Sequence, residues 1–265
     1  MIAQDTTVTW NRQAAPGYFR MGLACGMGFD TAKPGQFIML RVAGGSQPLL
    51  RRPFSLLGLV HDAARVIGIE ILYKVVGKGT EQLSHCREGQ QLSVIGPLGN
   101  AFRVPDACRH PLLVAGGVGV PPIRFLAQTL LARRGNRDRC VVFIGGRTRD
   151  DLVCLTEFDL PGLLLDISTD DGSQGSRGVV TRRLQRAVDT GPVDLICACG
   201  PPAMLKAVAG IAAAHDIDCQ VSIEAMMACG MGACLGCAVQ LKGDDEPYRH
   251  VCVDGPVFDA RRLTW

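Results

Sequence analysis

Hydrophobic residues in the first third of the chain occur in short runs, and glycine and proline separate one run from the next. Examples are residues 37–42, 55–60, 66–73 and 91–95. Short runs at even spacing, with turn residues between them, are typical of a small antiparallel β-barrel. We therefore predict an antiparallel barrel over residues 1–103.

Helical periodicity interrupts this region once, at residues 79–86. Thr80 stands where an N-cap hydroxyl would accept a backbone hydrogen bond, and Glu81 suits the positive end of a helix. The sequence therefore predicts one short helix between the barrel strands.

The middle of the chain alternates short apolar runs with helical patterns. We expect strands at residues 112–115, 140–144, 163–168 and 194–198, and helices at 123–132, 149–158, 180–188 and 202–214. Such alternation is typical of a doubly wound parallel sheet, whose ligands gather at the carboxyl ends of the strands. We therefore predict a parallel-sheet α/β domain over residues 104–221.

A glycine-rich loop follows the first of these strands. Residues 116–122 read Gly-Gly-Val-Gly-Val-Pro-Pro and lead into a helix, an arrangement that holds a phosphate at the helix N-terminus. The loop lacks the Gly-x-Gly-x-x-Gly pattern of the standard dinucleotide fold, so a variant nicotinamide-binding domain fits better. Arg147 and Arg149 would suit the extra phosphate of NADP, but exposed arginines without such a role are commoner, and we favour NAD.

The barrel region carries two patterns that suit a dinucleotide such as FAD. The run Arg52-Pro53-Phe54-Ser55 offers a guanidinium for a pyrophosphate, an aromatic face for a flavin and a hydroxyl for a ring nitrogen. Residues 73–80 lead from a strand into a glycine-rich helix start, where free N–H groups would hold phosphate. Each pattern alone also fits a structural role, as a polar start to an edge strand or as an ordinary turn.

Four cysteines near the end of the chain form a candidate metal site. Cys229, Cys234 and Cys237 stand among glycines, and fourteen residues separate Cys237 from Cys252. The spacing Cys-x4-Cys-x2-Cys matches the run that holds a plant-type [2Fe-2S] cluster, although the last interval is short for that class. A structural zinc site is the alternative, but Cys252 lacks the nearby mate that such a site uses, and a disulfide pair is a third interpretation.

The composition of the chain limits the kinds of partner it can bind and the compartment in which we expect it. It has 265 residues, 47% of them hydrophobic, a formal net charge of +3 and a pI of about 8.3, with scattered basic residues that do not indicate nucleic acid. No apolar run is long enough for a membrane span. Twelve cysteines without a secretory signal lead us to expect a reducing, cytoplasmic compartment. Seven of these cysteines match no ligand position, and we expect them to be buried: Cys25, Cys86, Cys108, Cys140, Cys154, Cys197 and Cys219.

These motifs follow one another in the order seen in the ferredoxin-NADP reductase superfamily. Within it, the chain resembles the electron-transfer subunits of type B dihydroorotate dehydrogenases, through residues 52–55, 117–122 and 199–202, the cysteine motif and the Asp-Gly-Pro-Val-Phe sequence at 254–258. The resemblance implies an FAD-binding barrel, an NAD-binding domain and a small [2Fe-2S] module at residues 222–265.

The resemblance also implies roles for individual residues. Arg52 would contact the flavin pyrophosphate and Ser55 would lie near flavin N5, while Phe54 replaces the tyrosine of other superfamily members. The remaining implied FAD contacts are Pro53, Leu72, Tyr73, Lys74, Gly79 and Thr80. The implied nicotinamide contacts are Gly117, Gly119, Cys199 and Gly200. The implied cluster ligands are Cys229, Cys234, Cys237 and Cys252.

The function that the resemblance implies is electron transfer in pyrimidine (UMP) biosynthesis. Electrons from dihydroorotate would reach FMN in a separate catalytic subunit and cross the cluster and FAD to NAD, in a heterotetramer of two copies of each subunit. No residue of this chain is expected to act on dihydroorotate. The rivals are a flavin subunit of a ferredoxin:NAD(P) oxidoreductase or a sulfide dehydrogenase, whose relatives carry Asp at the position of Cys229, and a non-catalytic zinc-binding scaffold.

Overall fold

The computed structural model describes residues 1–26, 28–42, 49–134, 140–243 and 247–265. None of the four helices in this part of the chain has the length and apolar character that a membrane span requires. The strands are β1 (Ile2–Ala15), β2 (Tyr18–Ala24), β3 (Phe37–Val42), β4 (Arg52–Asp62), β5 (Arg65–Lys74), β6 (Gln91–Leu98), β7 (Pro111–Gly116), β8 (Cys140–Gly146), β9 (Leu163–Thr169), β10 (Ser176–Arg177), β11 (Leu195–Cys199), β12 (Asp218–Ser222), β13 (Ala238–Gln240), β14 (Tyr248–His250) and β15 (Val257–Asp259). The helices are α1 (Lys78–Ser84), α2 (Val120–Arg134), α3 (Val180–Thr190) and α4 (Pro202–Ala214).

The first six strands form a closed antiparallel barrel in the order β1-β2-β5-β4-β3-β6. Its interior is apolar, and Met21, Ile38, Leu56 and Ile71 are fully buried there. Closure pairs every strand on both sides and removes the exposed edges of an open sheet. The predicted barrel is confirmed, and it includes two strands, β1 and β2, that the predicted runs did not contain.

The short helix α1 lies between β5 and β6, as the sequence predicts, but its start differs. Thr80 is the third helical residue, and its Oγ1 accepts hydrogen bonds from the N–H groups of Val76, 2.9 Å away, and Gly77, 3.2 Å away. Gly77 occupies the N-cap. The prediction that Thr80 is the N-cap is therefore wrong, because Thr80 stabilises the turn from inside the helix.

Seven strands form the second sheet in the order β10-β9-β8-β7-β11-β12-β15. All neighbouring pairs from β10 to β12 are parallel, and β15 is antiparallel to β12 at the edge. Helices α3 and α4 contribute buried side chains to one apolar core, and α2 contributes to another. The strand order reverses between β7 and β11, so the sheet has the switch point at which such folds bind ligands. The predicted parallel-sheet domain is confirmed.

Two predicted helices differ from the observed ones. The predicted helix at residues 149–158 is wrong, because Cys154 has a φ of 58° and the chain makes two short 3-10 turns there, at Arg149–Asp151 and Leu155–Phe158. A left-handed residue cannot continue a right-handed helix. The helix predicted to begin at residue 123 begins at Val120 instead. Its first turn contains two prolines, which is tolerated because that turn needs no intrahelical N–H donor.

The C-terminal segment packs into the rest of the molecule. Strand β15 pairs with β12, and the Ile223 N–H donates to the Pro256 carbonyl across 2.9 Å. Cys237 and Cys252 belong to the apolar core that also contains residues of β7, β11 and β12. The domain limits at residues 103/104 and 221/222 stay a prediction; β12 itself spans residues 221 and 222.

The seven cysteines that match no ligand position are buried, as predicted. Burial raises the pKa of Cys25 and of Cys154 to about 11. Because the thiolate is the reactive form, a raised pKa keeps these side chains inert. They act as small apolar residues in the core.

Candidate functional site

Two cavities lie next to each other where the barrel meets the parallel sheet. The central cavity has a volume of about 340 Å³ and the strand-end cavity a volume of about 690 Å³. Lys74, Val118 and Glu224 line both cavities. A ligand in one cavity therefore lies beside a ligand in the other.

The central cavity is lined by side chains from the barrel, the parallel sheet and the C-terminal segment. Most residues predicted to bind FAD belong to this lining, but Gly79 is buried within α1, outside it. The predicted residues that line the cavity are Arg52, Pro53, Phe54, Ser55, Leu72, Tyr73, Lys74 and Thr80. The rest of the lining was not predicted from the sequence; it includes Ser222, Ile223, Glu224, Ala225, Met227 and Pro256.

The aromatic part of this lining is held in place by packing. The Phe54 ring lies 5.7 Å from the Tyr73 ring at an interplanar angle of 60°, a favourable tilted pair. Tyr73 is almost fully buried, and its hydroxyl donates to Asn11 Oδ1 across 3.1 Å. Burial raises the pKa of Tyr73, so this hydroxyl stays protonated. Packing and one hydrogen bond therefore orient Tyr73 in the wall of the cavity.

The glycines of the strand-end cavity permit close backbone contacts. A Cβ on Gly119 would lie 2.4 Å from the Cys199 carbonyl oxygen, and one on Gly116 would lie 2.6 Å from Met204 Sδ. Gly117 has a φ of 53° and also lines the cavity. These glycines lie at the end of β7 and directly after it, and they let the backbone approach β11 and α4 closely at the switch point of the sheet. Gly117, Gly119 and Gly200 line this cavity together, whereas Cys199 lines the central cavity.

One wall of the strand-end cavity joins the barrel to the parallel sheet. The Tyr18 hydroxyl donates to Asp151 Oδ1 across 2.9 Å, and Lys74 Nζ donates to the Tyr18 hydroxyl across 3.0 Å. Arg147 Nε donates to Asp151 Oδ2 across 3.0 Å. Burial pushes the pKa of Asp151 upward, but the hydrogen bonds from Arg147 and Tyr18 outweigh burial, and the pKa lies below its ordinary value. Arg147 is thus already paired with a carboxylate.

Glu224 and Cys199 meet where the two cavities adjoin. Solvent reaches Glu224 through the cavities, yet the surrounding protein raises the pKa of its carboxyl group. Burial and the nearby Glu224 carboxylate raise the pKa of Cys199 to about 12, despite its hydrogen bond with Ser222. Glu224 follows β12, which the sequence analysis did not predict. The alternation of polar and apolar residues over β12, followed two residues later by a charged side chain, was the signal that could have identified it.

The cluster motif forms a tight loop with backbone N–H groups aimed at sulfur. The N–H groups of Met231 and Cys234 donate to Cys229 Sγ across 3.4 and 3.3 Å, and the Gly232 N–H donates to Cys252 Sγ across 3.2 Å. Hydrogen bonds to its sulfur lower the pKa of Cys229 to about 6, and the bond from the Met231 N–H has the largest effect. A thiolate is the form that binds metal, so the donor set fits a metal-bound sulfur.

The four thiols are arranged as two pairs. Cys234 is a hydrogen-bond neighbour of Cys229, and Cys237 is one of Cys252. Burial, followed by Cys237, raises the pKa of Cys252 to about 12. No three His, Cys, Asp or Glu side chains in the described part of the chain converge closely enough to hold a single metal ion. Two separate pairs fit a binuclear cluster, in which each iron takes two thiolates, better than one tetrahedral zinc ion.

The glycines of the loop bring it close to neighbouring side chains. Gly230 and Gly232 have φ values of 72° and 85°. A Cβ on Gly230 would lie 2.4 Å from Met39 Cγ of the barrel, and one on Gly232 would lie 2.9 Å from Val253 Cγ2. The loop therefore packs directly on the barrel that lines the central cavity.

Comparison with known proteins agrees with this arrangement. Residues 224–264 match the model of the iron-sulfur cluster binding domain of dihydroorotate dehydrogenase B, and residues 113–210 match that of the oxidoreductase NAD-binding domain. The chain is 37% identical over 264 residues to the dihydroorotate dehydrogenase B (NAD(+)) electron transfer subunit of Bacillus caldolyticus, covering 98% of each chain. This chain belongs to the same family. The subunit of that name from Desulforamulus reducens is 36% identical over 236 residues, 88% of this chain and 87% of its relative.

Solved structures extend the likeness beyond the family. A structure of the NADH-dependent reduced ferredoxin-NADP oxidoreductase, described for flavin-based electron bifurcation, has a TM-score of 0.83 at 28% identity and covers 98% of this chain and 90% of its own. A ferredoxin NADP+ reductase from Neisseria gonorrhoeae has a TM-score of 0.65 at 14% identity over 80% of this chain and 91% of its own. The second match shows the shared fold alone.

Proposed function

We propose that this chain, like its dihydroorotate dehydrogenase B relatives, carries electrons between a catalytic subunit that oxidises dihydroorotate and NAD, in pyrimidine (UMP) biosynthesis. One observation carries this proposal: the central cavity is lined by the barrel, the parallel sheet and the segment that continues into the cysteine loop. A flavin there adjoins the nicotinamide cavity on one side and the iron-sulfur loop on the other. When bound, FAD supplies exchange of electron pairs with a nicotinamide and of single electrons with an iron-sulfur centre.

The residues of the chain bind and orient these groups. Arg52 provides a cation for the FAD pyrophosphate and Ser55 a hydroxyl for the flavin ring, while Leu72, Tyr73 and Lys74 form the neighbouring wall. Gly79 supports the phosphate from the start of α1, next to Thr80, which lines the cavity. Cys229, Cys234, Cys237 and Cys252 hold the [2Fe-2S] cluster as two pairs of thiolates.

The strand-end cavity takes NAD. Its glycine-lined entrance lies at the carboxyl ends of β7, β8 and β11, where a parallel sheet binds nucleotides. Arg147 is held by Asp151, and Asp170 also lines the cavity, so a second phosphate on the ribose would meet a carboxylate. These features favour NAD over NADP.

The catalytic partner supplies the dihydroorotate site. It carries FMN and joins two copies of this chain in a heterotetramer, as in the type B enzymes that the sequence resembles. Exposed apolar side chains around the cysteine loop support docking at that place, because large apolar residues seldom remain exposed together without a partner. The exposed side chains are Met226, Met231, Leu235 and Val253.

The test is the activity of the purified chain alone and with its partner. The chain should contain FAD and two irons per polypeptide, reduce artificial acceptors with NADH, and fail to oxidise dihydroorotate until an FMN-containing catalytic subunit is added. Stripping the flavin should abolish dye reduction. Dihydroorotate oxidation by the chain alone would refute the two-subunit proposal. A colourless chain that holds zinc would leave only the interpretation as a non-catalytic zinc-binding scaffold.

A second candidate is the flavin subunit of a ferredoxin:NAD(P) oxidoreductase or of a sulfide dehydrogenase. The TM-score of 0.83 to the ferredoxin-NADP oxidoreductase favours it. Cys229 distinguishes the two, because members of the second group resemble forms that carry Asp at that position. Purification from a native extract separates them, since only the first candidate should be recovered with an FMN-containing partner.

A further inference from the structure

One short segment belongs to both redox sites. Ala225 and Met227 line the central cavity, and Cys229 follows Met227 by two residues. Successive Cα atoms are about 3.8 Å apart, so the Cα atoms of Met227 and Cys229 lie within about 7.6 Å of each other. Among the described residues, no shorter stretch of chain joins the cavity lining to a candidate cluster ligand; Pro256 and Cys252 are separated by four positions.

Two neighbouring methionines in this segment have opposite surroundings. Met226 is 90% exposed, whereas Met227 is half-buried and packs against the apolar core that contains Cys237 and Cys252. Met227 is also the one of the two that lines the central cavity. An unbranched thioether adapts to irregular surfaces and makes favourable contacts with aromatic rings. Met227 is therefore suited to fill the space between a flavin and the cysteine loop.

We infer that Met227 is the side chain that joins the flavin to the iron-sulfur cluster: it packs against the flavin ring in the central cavity and provides the contact through which single electrons cross toward Cys229. The inference rests on the proposed function. NADH gives two electrons to the flavin as a hydride and leaves as NAD+. The electrons then cross one at a time: each reduces one ferric ion of the cluster to ferrous, and the cluster passes that electron to a one-electron acceptor dye or to the flavin of the partner before it takes the next. Packed atoms between two redox groups transmit electronic coupling better than an empty gap does, and a gap also forfeits dispersion contacts.

The neighbouring methionine provides a matched control. Met227→Ala should weaken FAD binding to the apoprotein, measured by flavin fluorescence. It should also slow reduction of the cluster by NADH several-fold in anaerobic stopped-flow, while flavin reduction keeps its rate at saturating FAD. In the chain without its partner, Met226→Ala should leave both measurements unchanged, because Met226 does not line the central cavity. Met227→Leu keeps the volume of the side chain and should restore both toward the wild-type values.

The possible outcomes distinguish a failure of the Met227 inference from a failure of the proposed function. If Met227→Ala and Met226→Ala behave alike at full iron and flavin content, the inference is wrong and the proposed function stands. If the wild-type chain binds FAD but no iron, the proposed function fails and this inference fails with it. Thermal unfolding identifies a variant that does not fold; in that case Met227→Val, a smaller truncation, is compared with Met226→Val by the same two measurements.

Discussion

Arg52 lines the central cavity with one nitrogen already oriented by the backbone. Its Nη1 donates to the carbonyls of Leu50 and Arg51 across 2.9 and 3.3 Å. A guanidinium anchored at one nitrogen loses little further rotamer freedom when a phosphate binds its other donors. The fold therefore orients the Arg52 guanidinium before a phosphate binds to it.

Removing the Arg52 guanidinium should weaken FAD binding. We expect Arg52→Ala to cost about 2 kcal/mol of binding free energy, the scale of one charge-assisted hydrogen-bonded contact. Titration of FAD into the apoprotein, followed by fluorescence, measures the effect. Arg65→Ala, an exposed arginine at the other end of the neighbouring strand β5, is the control. Equal affinities for all three proteins would remove Arg52 from the site.

Cys234 is the exposed member of the four candidate ligands. We expect Cys234→Ser to lower the iron content per chain, because a hydroxyl is a poor ligand for an iron-sulfur cluster. FAD should stay bound, since Cys234 does not line the central cavity. Iron and flavin are assayed on one sample, with Leu235→Ser as the control in the same loop. Parallel loss of iron and flavin would show that the cluster loop and the central cavity do not form independently.

At the scale of elements, ion pairs join the barrel strands to the turns after β8. Asp151 binds Tyr18 and Arg147 and lies 3.6 Å from Lys74, while Arg20 pairs with both Glu70 and Glu157. The side chains of Asp151 and Glu157 are only 12% and 16% exposed, so these contacts are less screened than surface pairs. The orientation of the two units therefore depends on the 3-10 turns that replaced a predicted helix.

Neutralising Asp151 should loosen this connection in a pH-dependent way. We expect Asp151→Asn to lower the free energy of unfolding by about 2 kcal/mol near neutral pH, the scale of a buried hydrogen bond to a charged group. The pKa of Asp151 is lowered by folding, so its contribution is present above its ordinary value of 3.8 and is lost as the pH falls through the lower folded value. Chemical unfolding between neutral pH and pH of about 3 measures this difference.

The control for this variant lies in the same turn. Asp150 is exposed, and Asp150→Asn should change the free energy of unfolding little at any pH. A difference between wild type and Asp151→Asn that stays constant down to pH of about 3 would show that the charge of Asp151 does not stabilise the fold.

At the scale of the whole molecule, three parts of the chain meet around one cavity, and the cysteine loop extends from it to the surface. The exposed apolar side chains beside that loop lie where a partner must approach if electrons are to reach the cluster. This surface links the internal arrangement of the chain to its proposed assembly.

A charge placed on this surface should impair assembly without affecting the chain itself. We expect Met226→Asp to weaken binding to the catalytic subunit at least tenfold, because a carboxylate buried in an apolar interface loses its hydration. Dye reduction by NADH should persist. Leu164→Asp, at an exposed position on β9, is the control, and affinity is measured by analytical ultracentrifugation. Unchanged affinity in Met226→Asp would place the interface elsewhere.

The sequence alone was enough to predict the local chemistry and the order of the barrel, the parallel sheet and the cysteine loop. Period-two and helical patterns, turn residues and the spacing of Cys229, Cys234 and Cys237 depend on near neighbours, so they can be read along the chain. They predicted the barrel, the parallel sheet and the cysteine loop. The predicted helix at residues 149–158 is wrong because Cys154 has a left-handed backbone conformation. Packing around Cys154 sets that conformation, and no local sequence pattern indicates it.

The walls of the central cavity are formed by residues that lie far apart in the sequence. Glu224, Ala225, Met227 and Pro256 line a cavity whose first predicted residue is Arg52, and no local pattern connects positions so far apart. The same holds for β15, which pairs with β12 at the edge of the parallel sheet. Which surfaces meet is decided by burial of the shared apolar core, and that depends on the complete fold.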